Sequence, residues 1–218
     1  MKTMVVYYAS AQDVKDFCKI TYVDLGLAND AAYTTLIEAL ISIVERIIED
    51  FCGVPSTFFK TGGLSISNEY DDSDGSSNLW LKYRPVISIT KLEYNEKPLT
   101  ETASWVELLE GPGTGKNYML YAEKGLIYIY QEAPGEGYRN IRVTYVTGYT
   151  AVPGPVAQAC KELVSEWIRK ILKNKLTPQE ISQSITQGIA PGPVVEPGLT
   201  KTQRVMLAPY RVSRAGVG

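Results

Sequence analysis

GPGTGKNY, residues 111–118, closes on a Gly-Lys pair as a nucleotide-binding P-loop does, and the fold depends on whether it is one. A P-loop wraps phosphate with backbone N–H groups and a helix N-terminus, while its Lys reaches the outer phosphates and the next Ser or Thr holds magnesium. It belongs to a strand–loop–helix unit of an alternating βα fold. Here Glu110 stands at the first glycine of the pattern, a negative charge where phosphate would approach, and Asn117 replaces the metal-binding hydroxyl. The residues that follow, Tyr118 to Tyr121 and then Leu126 to Tyr130, are aromatic and aliphatic and suit strands rather than the required helix. The stretch therefore reads as a Gly/Pro turn between two strands.

The flanks extend that reading. Between about 57 and 148 the apolar period is two: Leu79 to Tyr83, Val86 to Tyr94, Trp105 to Leu109, Tyr118 to Tyr121, Leu126 to Tyr130 and Ile141 to Tyr145 are short runs parted by Gly, Pro, Asn and Asp. This spacing predicts an antiparallel β unit and excludes βαβ alternation. Outside it the period becomes helical. Ser10 and Asp13 form a capping-box pattern ahead of a short helix, 10–20. The strongest pattern, 30–52, lines Leu36, Ile37, Leu40, Ile41, Val44, Ile47, Ile48 and Phe51 along one side, with Glu38, Ser42, Glu45, Arg46 and Glu49 assigned to the other; Gly53 and Pro55 stop it. A third helix, 155–174, carries Val156, Cys160, Leu163, Val164, Trp167, Ile168 and Ile171. The predicted class is α+β: long amphipathic helices flanking an inserted antiparallel β unit, with an extended C-terminal tail. Residues 1–178 form the core, and 179–218 a Pro/Gly-rich linker, densest over 186–198, with a tail that ends Val205-Met206-Leu207-Ala208-Pro209-Tyr210-Arg211 and invites a partner.

Composition narrows the chemistry. A chain of 218 residues buries roughly 70% of its unfolded surface and folds unaided. Its 22 basic and 24 acidic residues are dispersed and give a net charge of −2, unlike the basic footprint of a duplex-binding protein. There is no histidine, which removes the commonest general base, the commonest metal ligand and every Ser-His or Cys-His nucleophile pair. Cys18, Cys52 and Cys160 lack metal-ligand spacing and read as small buried hydrophobes in a reducing compartment. No run approaches the ~20 apolar residues of a membrane span, and the apolar run from Met4 to Ala9 is too short for a secretion signal, so synthesis on the cytoplasmic side is expected. Neither catalytic residues, nor a metal, nor a cofactor is expected.

Two features offer other chemistry. Glu69-Tyr70-Asp71-Asp72-Ser73-Asp74-Gly75 is the densest carboxylate run, yet aligned as a calcium loop on Gly75 it has Tyr70 at the first ligand and Leu81 at the final bidentate Glu, so it reads as a solvated hairpin tip. The 15 tyrosines suggest a sugar- or base-stacking platform, but Tyr83, Tyr94, Tyr128, Tyr130 and Tyr145 alternate in strands, where half-buried tyrosine is ordinary, and Trp167 on a helix stripe is structural.

The order of parts carries a resemblance. A short helix from Ser10, a long helix ending Ile48-Glu49-Asp50-Phe51-Cys52-Gly53, then Arg84-Pro85-Val86-Ile87-Ser88-Ile89, then Ile141 to Tyr149 leading through Val152-Pro153 into a helix with Ala159, Leu163, Val164 and Trp167, resembles the head-to-tail connector (adaptor) family of tailed bacteriophages. The closing Leu207-Ala208-Pro209-Tyr210-Arg211 resembles that family's C-terminal end. The resemblance implies a non-enzymatic virion protein at the head–tail interface, made in the bacterial host cytoplasm, that forms a ring, often of about twelve copies, beneath the portal. The portal protein and tail or stopper proteins are its implied partners, DNA passes through the channel without specific binding, and no membrane is involved. The segments 55–80 and 98–120 are longer than the family's usual connections, and the Pro/Gly-rich 186–198 segment is also extended. Leu207, Pro209, Tyr210 and Arg211 are the expected portal-docking residues, apolar anchors and a planar cation being the types that concentrate interface energy. A tail that orders only on a partner opposes self-assembly, so the free chain is expected to be monomeric. The alternative is a carbohydrate- or peptide-binding β module on a helical support.

Overall fold

A computed structural model describes residues 8–95, 97, 104–131, 134–174 and 199–212. The chain divides into two compact units, one of residues 1–60 and 151–211 and the other built on residues 61–150. The linker expected over 186–198 lies outside the described residues.

The first unit is helical. Helix α1, Ala11–Cys18, begins with a true capping box: Asp13 N–H donates to Ser10 Oγ at 3.0 Å and Ser10 N–H donates back to Asp13 Oδ2 at 3.0 Å. It stops short of the expected residue 20 because Lys19 takes the left-handed conformation, φ 58°. Helix α2, Asp30–Cys52, has the predicted bounds; Asn29 caps it by accepting from Ala32 N–H at 2.9 Å, and Gly53 ends it at φ 69°. Helix α3, Gly154–Asn174, packs against both. The apolar stripes meet as the sequence requires: Ile37, Leu40, Ile41, Val44 and Ile48 of α2 and Val156, Cys160, Val164, Trp167 and Ile168 of α3 are buried. Asn29→Ala is expected to lower stability by about 1 kcal/mol, the usual cost of losing a side-chain N-cap, read as a shifted urea midpoint with an unchanged slope.

The second unit is antiparallel. Strands β1 (Leu64–Ser73), β3 (Val86–Asn95), β4 (Trp105–Leu108) and β7 (Gly137–Thr147) form a sheet in the order β1-β7-β3-β4; β2 (Asn78–Trp80), β5 (Tyr118–Tyr121) and β6 (Leu126–Ile129) form a second in the order β2-β6-β5. Their inner residues, among them Leu79, Leu92, Leu108, Tyr118, Ile127, Ile129, Val143 and Tyr145, share one core. Three expectations are corrected. Strand β1 takes in most of the acidic run expected as a hairpin tip, so Glu69, Asp71 and Asp72 lie on a strand and only Asp74-Gly75 turns. The strand expected at Leu79 to Tyr83 shortens to Asn78–Trp80, the chain reaching Pro85, which brings no N–H to a ladder. The strand expected at Ile141 to Tyr145 lengthens to Gly137–Thr147, because it lies between two partners. Gly63, at φ 76°, lets β1 begin beside β7: a Cβ there would sit 2.8 Å from Thr147 O.

Residues 111–118 link β4 to β5 as a turn. Gly111 N–H donates to Tyr118 O at 3.0 Å, and Asn117 closes the base, its N–H donating to Leu109 O at 2.8 Å while its Oδ1 accepts from Leu109 N–H at 2.9 Å. The residue at the magnesium position of a P-loop thus fastens the turn by which the chain passes from one sheet to the other.

Candidate docking surface

The C-terminal segment was expected to present anchors, so its placement matters most. Thr200 and Gln203 form a second capping box, Gln203 N–H donating to Thr200 Oγ1 at 3.2 Å and Thr200 N–H to Gln203 Oε1 at 2.9 Å. They start helix α4, Lys201–Leu207, which runs into a 3-10 turn over Ala208–Tyr210. The segment packs against α3 of its own chain, with Leu199, Gln203 and Leu207 buried. Tyr210 meets the edge of Phe59 with ring centroids 5.9 Å apart, and the Arg211 guanidinium lies over the Phe51 ring at 5.1 Å. Leu207 and Tyr210 therefore hold the segment to its own chain, while Val205, 67% exposed, together with Arg204 and Pro209, looks outward.

Beneath Phe59 lies a polar cluster that sequence reasoning missed. Glu45 and Glu49, assigned to the solvent side of α2, are buried. Tyr8 closes over them: its N–H donates to Glu45 Oε1 at 2.6 Å and its hydroxyl to Glu49 Oε1 at 2.5 Å. Thr57, a β-branched residue at φ 70°, donates its N–H to Glu49 Oε1 at 2.6 Å, and Lys60 Nζ lies 3.2 Å from Glu45 Oε2. Burial pushes the Glu45 carboxyl up, against the Tyr8 N–H and the Lys60 ammonium, which pull it down. Burial, then hydrogen bonding to Glu49, raises the Tyr8 phenol, and burial pushes the Cys52 thiol to about 12 despite Arg211 nearby. These shifts fix groups in one protonation state: Tyr8 stays a donor and Cys52 stays a thiol near neutral pH. The cluster locks the segment after α2 to residue 8, and Phe59 carries the C-terminal segment on top.

The acidic run supplies hydrogen bonds one carboxylate at a time. Tyr145 OH donates to Glu69 Oε2 at 3.1 Å, Arg139 N–H to Asp72 Oδ1 at 2.6 Å and Ser76 N–H to Asp74 Oδ1 at 2.8 Å. Burial pushes the Asp71 carboxyl up, whereas hydrogen bonds from Ser76 hold Asp74 below the usual carboxylate range. Among the described residues, no three His, Cys, Asp or Glu side chains gather in metal-binding geometry. The strand tyrosines divide by pleat: Tyr145 is buried, while Tyr128 is exposed on the other side of its sheet. Tyr118 to Tyr121 and Leu126 to Ile129 are apolar throughout, so the strand register, not the composition, separates the two sets.

The head completion protein family matches residues 8–193, and the chain belongs to that family, a structural component of the phage particle. No curated protein matches it. Among solved structures it is similar to a chain from the neck of an empty GTA particle computed with C6 symmetry, at 13% sequence identity, covering 100% of this chain and 97% of that one with a TM-score of 0.49.

Proposed function

We propose that this chain is the head-to-tail connector of a tailed phage: copies of it form a ring below the portal, join the DNA-filled head to tail or stopper proteins, and line the DNA channel. The observation that carries this reading is its membership of the head completion protein family over residues 8–193. The charge balance is compatible with the role, since a net charge of −2 offers few cations for phosphate neutralisation and lets DNA pass without being gripped. The portal contact uses the outward side of the C-terminal segment, Val205 and Pro209 with Arg211 beside them, while Leu207 and Tyr210 hold that segment in place. The free chain is monomeric, and the ring forms on the portal.

Electron micrographs of the purified protein, alone and mixed with its portal, test this. Single copies alone and a closed ring at the portal are expected, and Val205→Asp combined with Arg211→Ala is expected to weaken portal attachment at least tenfold without changing the melting temperature by more than a few degrees. Solitary particles under every condition, portal included, would remove the connector reading. Unchanged attachment of the double variant would remove only the docking role of the segment.

A further inference from the structure

On the outer side of the three-stranded sheet, alternate residues build a continuous apolar face. Trp80, Leu126 and Tyr121 stand opposite one another in one cross-strand row, and Tyr128 and Met119 in the next, which the polar Asn78 ends at the edge beside Tyr128. Trp80 is 51% exposed, Tyr121 47%, Met119 41% and Tyr128 40%, and none of the five is charged. Contiguous apolar surface of this kind on a folded chain marks an interaction site. Its rim is polarised. Lys82 follows Trp80, Lys124 and Glu123 follow Tyr121, and Arg84 lies against Gly125, its Cβ 3.1 Å from where a Cβ on that glycine would stand; all four are exposed. The rim beside Trp80 thus carries three cations and one carboxylate.

We propose that this face receives the segment 188–197, GIAPGPVVEP, of a neighbouring copy of the chain. That segment lies outside the described residues, and its chemistry suits the face. Pro191, Pro193 and Pro197 offer rings that stack on Trp and Tyr, and their fixed φ lowers the entropy lost on binding. Val194 and Val195 add apolar contact, and Glu196 is the sole charge in the segment, of the sign that the rim beside Trp80 attracts. The two rows are about 7 Å apart along the strands. Three residues of a polyproline II peptide span about 9 Å, so a proline over Tyr128 and a carboxylate three residues further on at Lys82 are within reach together. Face and segment are different surfaces, so the contact between copies is head-to-tail, the kind that closes a ring. To that extent the inference rests on the ring proposed above.

The test titrates a synthetic peptide of residues 186–198 into the full-length protein and reads tryptophan emission; Trp167 is buried and Trp105, half-buried, lies in the other sheet, so the part of the signal that Trp80→Ser removes reports the face. A saturable change is expected, abolished by Trp80→Ser and weakened at least tenfold by Glu196→Lys in the peptide. No response in the wild type, an unchanged affinity for the Glu196→Lys peptide, or saturation by a xylohexaose control in place of the peptide would overturn the proposal. A second arm replaces Tyr128 with photoreactive benzoylphenylalanine in 15N-labelled chain, mixes it with unlabelled chain and irradiates the portal-bound assembly. Cross-links from labelled position 128 to unlabelled 186–198 are expected; cross-links confined to one chain, or directed to the portal, would overturn the neighbouring copy as occupant. Peptide binding without any ring in micrographs would sink the ring and this occupant together. A ring that forms undiminished with Trp80→Ser and Tyr128→Ser would leave the ring standing and sink this inference alone.

Discussion

Phe59→Ala is expected to cost the helical unit about 3–5 kcal/mol and to loosen the C-terminal segment from it. The Phe59 ring is fully buried and meets three others edge-on, Phe58 at 5.3 Å, Tyr8 at 5.8 Å and Tyr210 at 5.9 Å. Truncation removes the buried ring, leaves a cavity that α2 is too rigid to close, and forfeits aromatic pairs worth about 0.5–1.5 kcal/mol each beyond their area. The loss also reaches Tyr8, whose hydroxyl and N–H satisfy Glu49 and Glu45. Because the chain has two units, a single transition is not assumed, and urea unfolding is followed through Trp167 in the core of the helical unit. Trypsin cleavage at Arg204 and Arg211 under native conditions reads the segment directly and is expected to accelerate roughly tenfold, while Tyr210→Ala, which keeps Leu207 and the Glu45–Glu49 cluster, accelerates it less. Destabilisation with unchanged cleavage would mean that Leu207 and α4 hold the segment without help from Phe59.

The long helix α2 was legible because its apolar residues repeat at helical spacing from Leu36 to Phe51, about four turns, ahead of a stopping Gly53, signals that need no knowledge of the rest of the chain. Strand β1 was not. It is an edge strand, and the Ser, Asn, Glu and Asp residues that suit an open edge erase most of the alternation by which a strand is recognised; Asn68, at φ 52°, breaks what remains. Glu45 and Glu49 show the opposite limit. They sit on the polar side of the α2 pattern, and what buries them comes from Tyr8 and from the segment after the helix, contacts that no helical period reveals. The apolar cluster at Leu207 and Tyr210 was visible as a cluster, but sequence could not say which surface it met; in the structure Leu207 and Tyr210 pack on their own chain. The P-loop look-alike was resolved from sequence, since Glu110 and the strand residues after Tyr118 already contradicted phosphate binding. The outward aromatic face required the register of β2, β5 and β6, which sets Trp80, Leu126 and Tyr121 side by side although they are far apart in the chain.

In the β unit, Arg142→Met is expected to remove about 2–3 kcal/mol at pH 7, because it strands a carboxylate. The Glu93 side chain is 7% exposed and is answered by two cations: Lys91 Nζ at 2.7 Å from Oε1, and Arg142, whose Nη2 and Nε reach Oε2 at 2.7 and 2.8 Å. The guanidinium also lies over the Trp105 ring at 4.4 Å, so methionine keeps the stem and part of that packing while losing the charge. The figure sits below the usual range for breaking a buried pair because Lys91, 44% exposed, and the surrounding water still share the Glu93 charge. Burial alone would push the Glu93 carboxyl up; the hydrogen bonds and charges of Lys91 and Arg142 outweigh it and hold it below the ordinary carboxylate range. A carboxyl lowered in the folded state stabilises above its unfolded value, about 4.3, and that stabilisation fades as pH falls through the lower folded value. With Arg142 gone, burial weighs more, the folded value rises, and the variant loses less on acidification than the wild type does. Unfolding followed by Trp105 emission should therefore show the gap between wild type and variant widest at neutral pH and narrowing below about pH 4. An equal gap at pH 7 and pH 3.5 would assign the cost to packing on Trp105 instead of to the charge on Glu93.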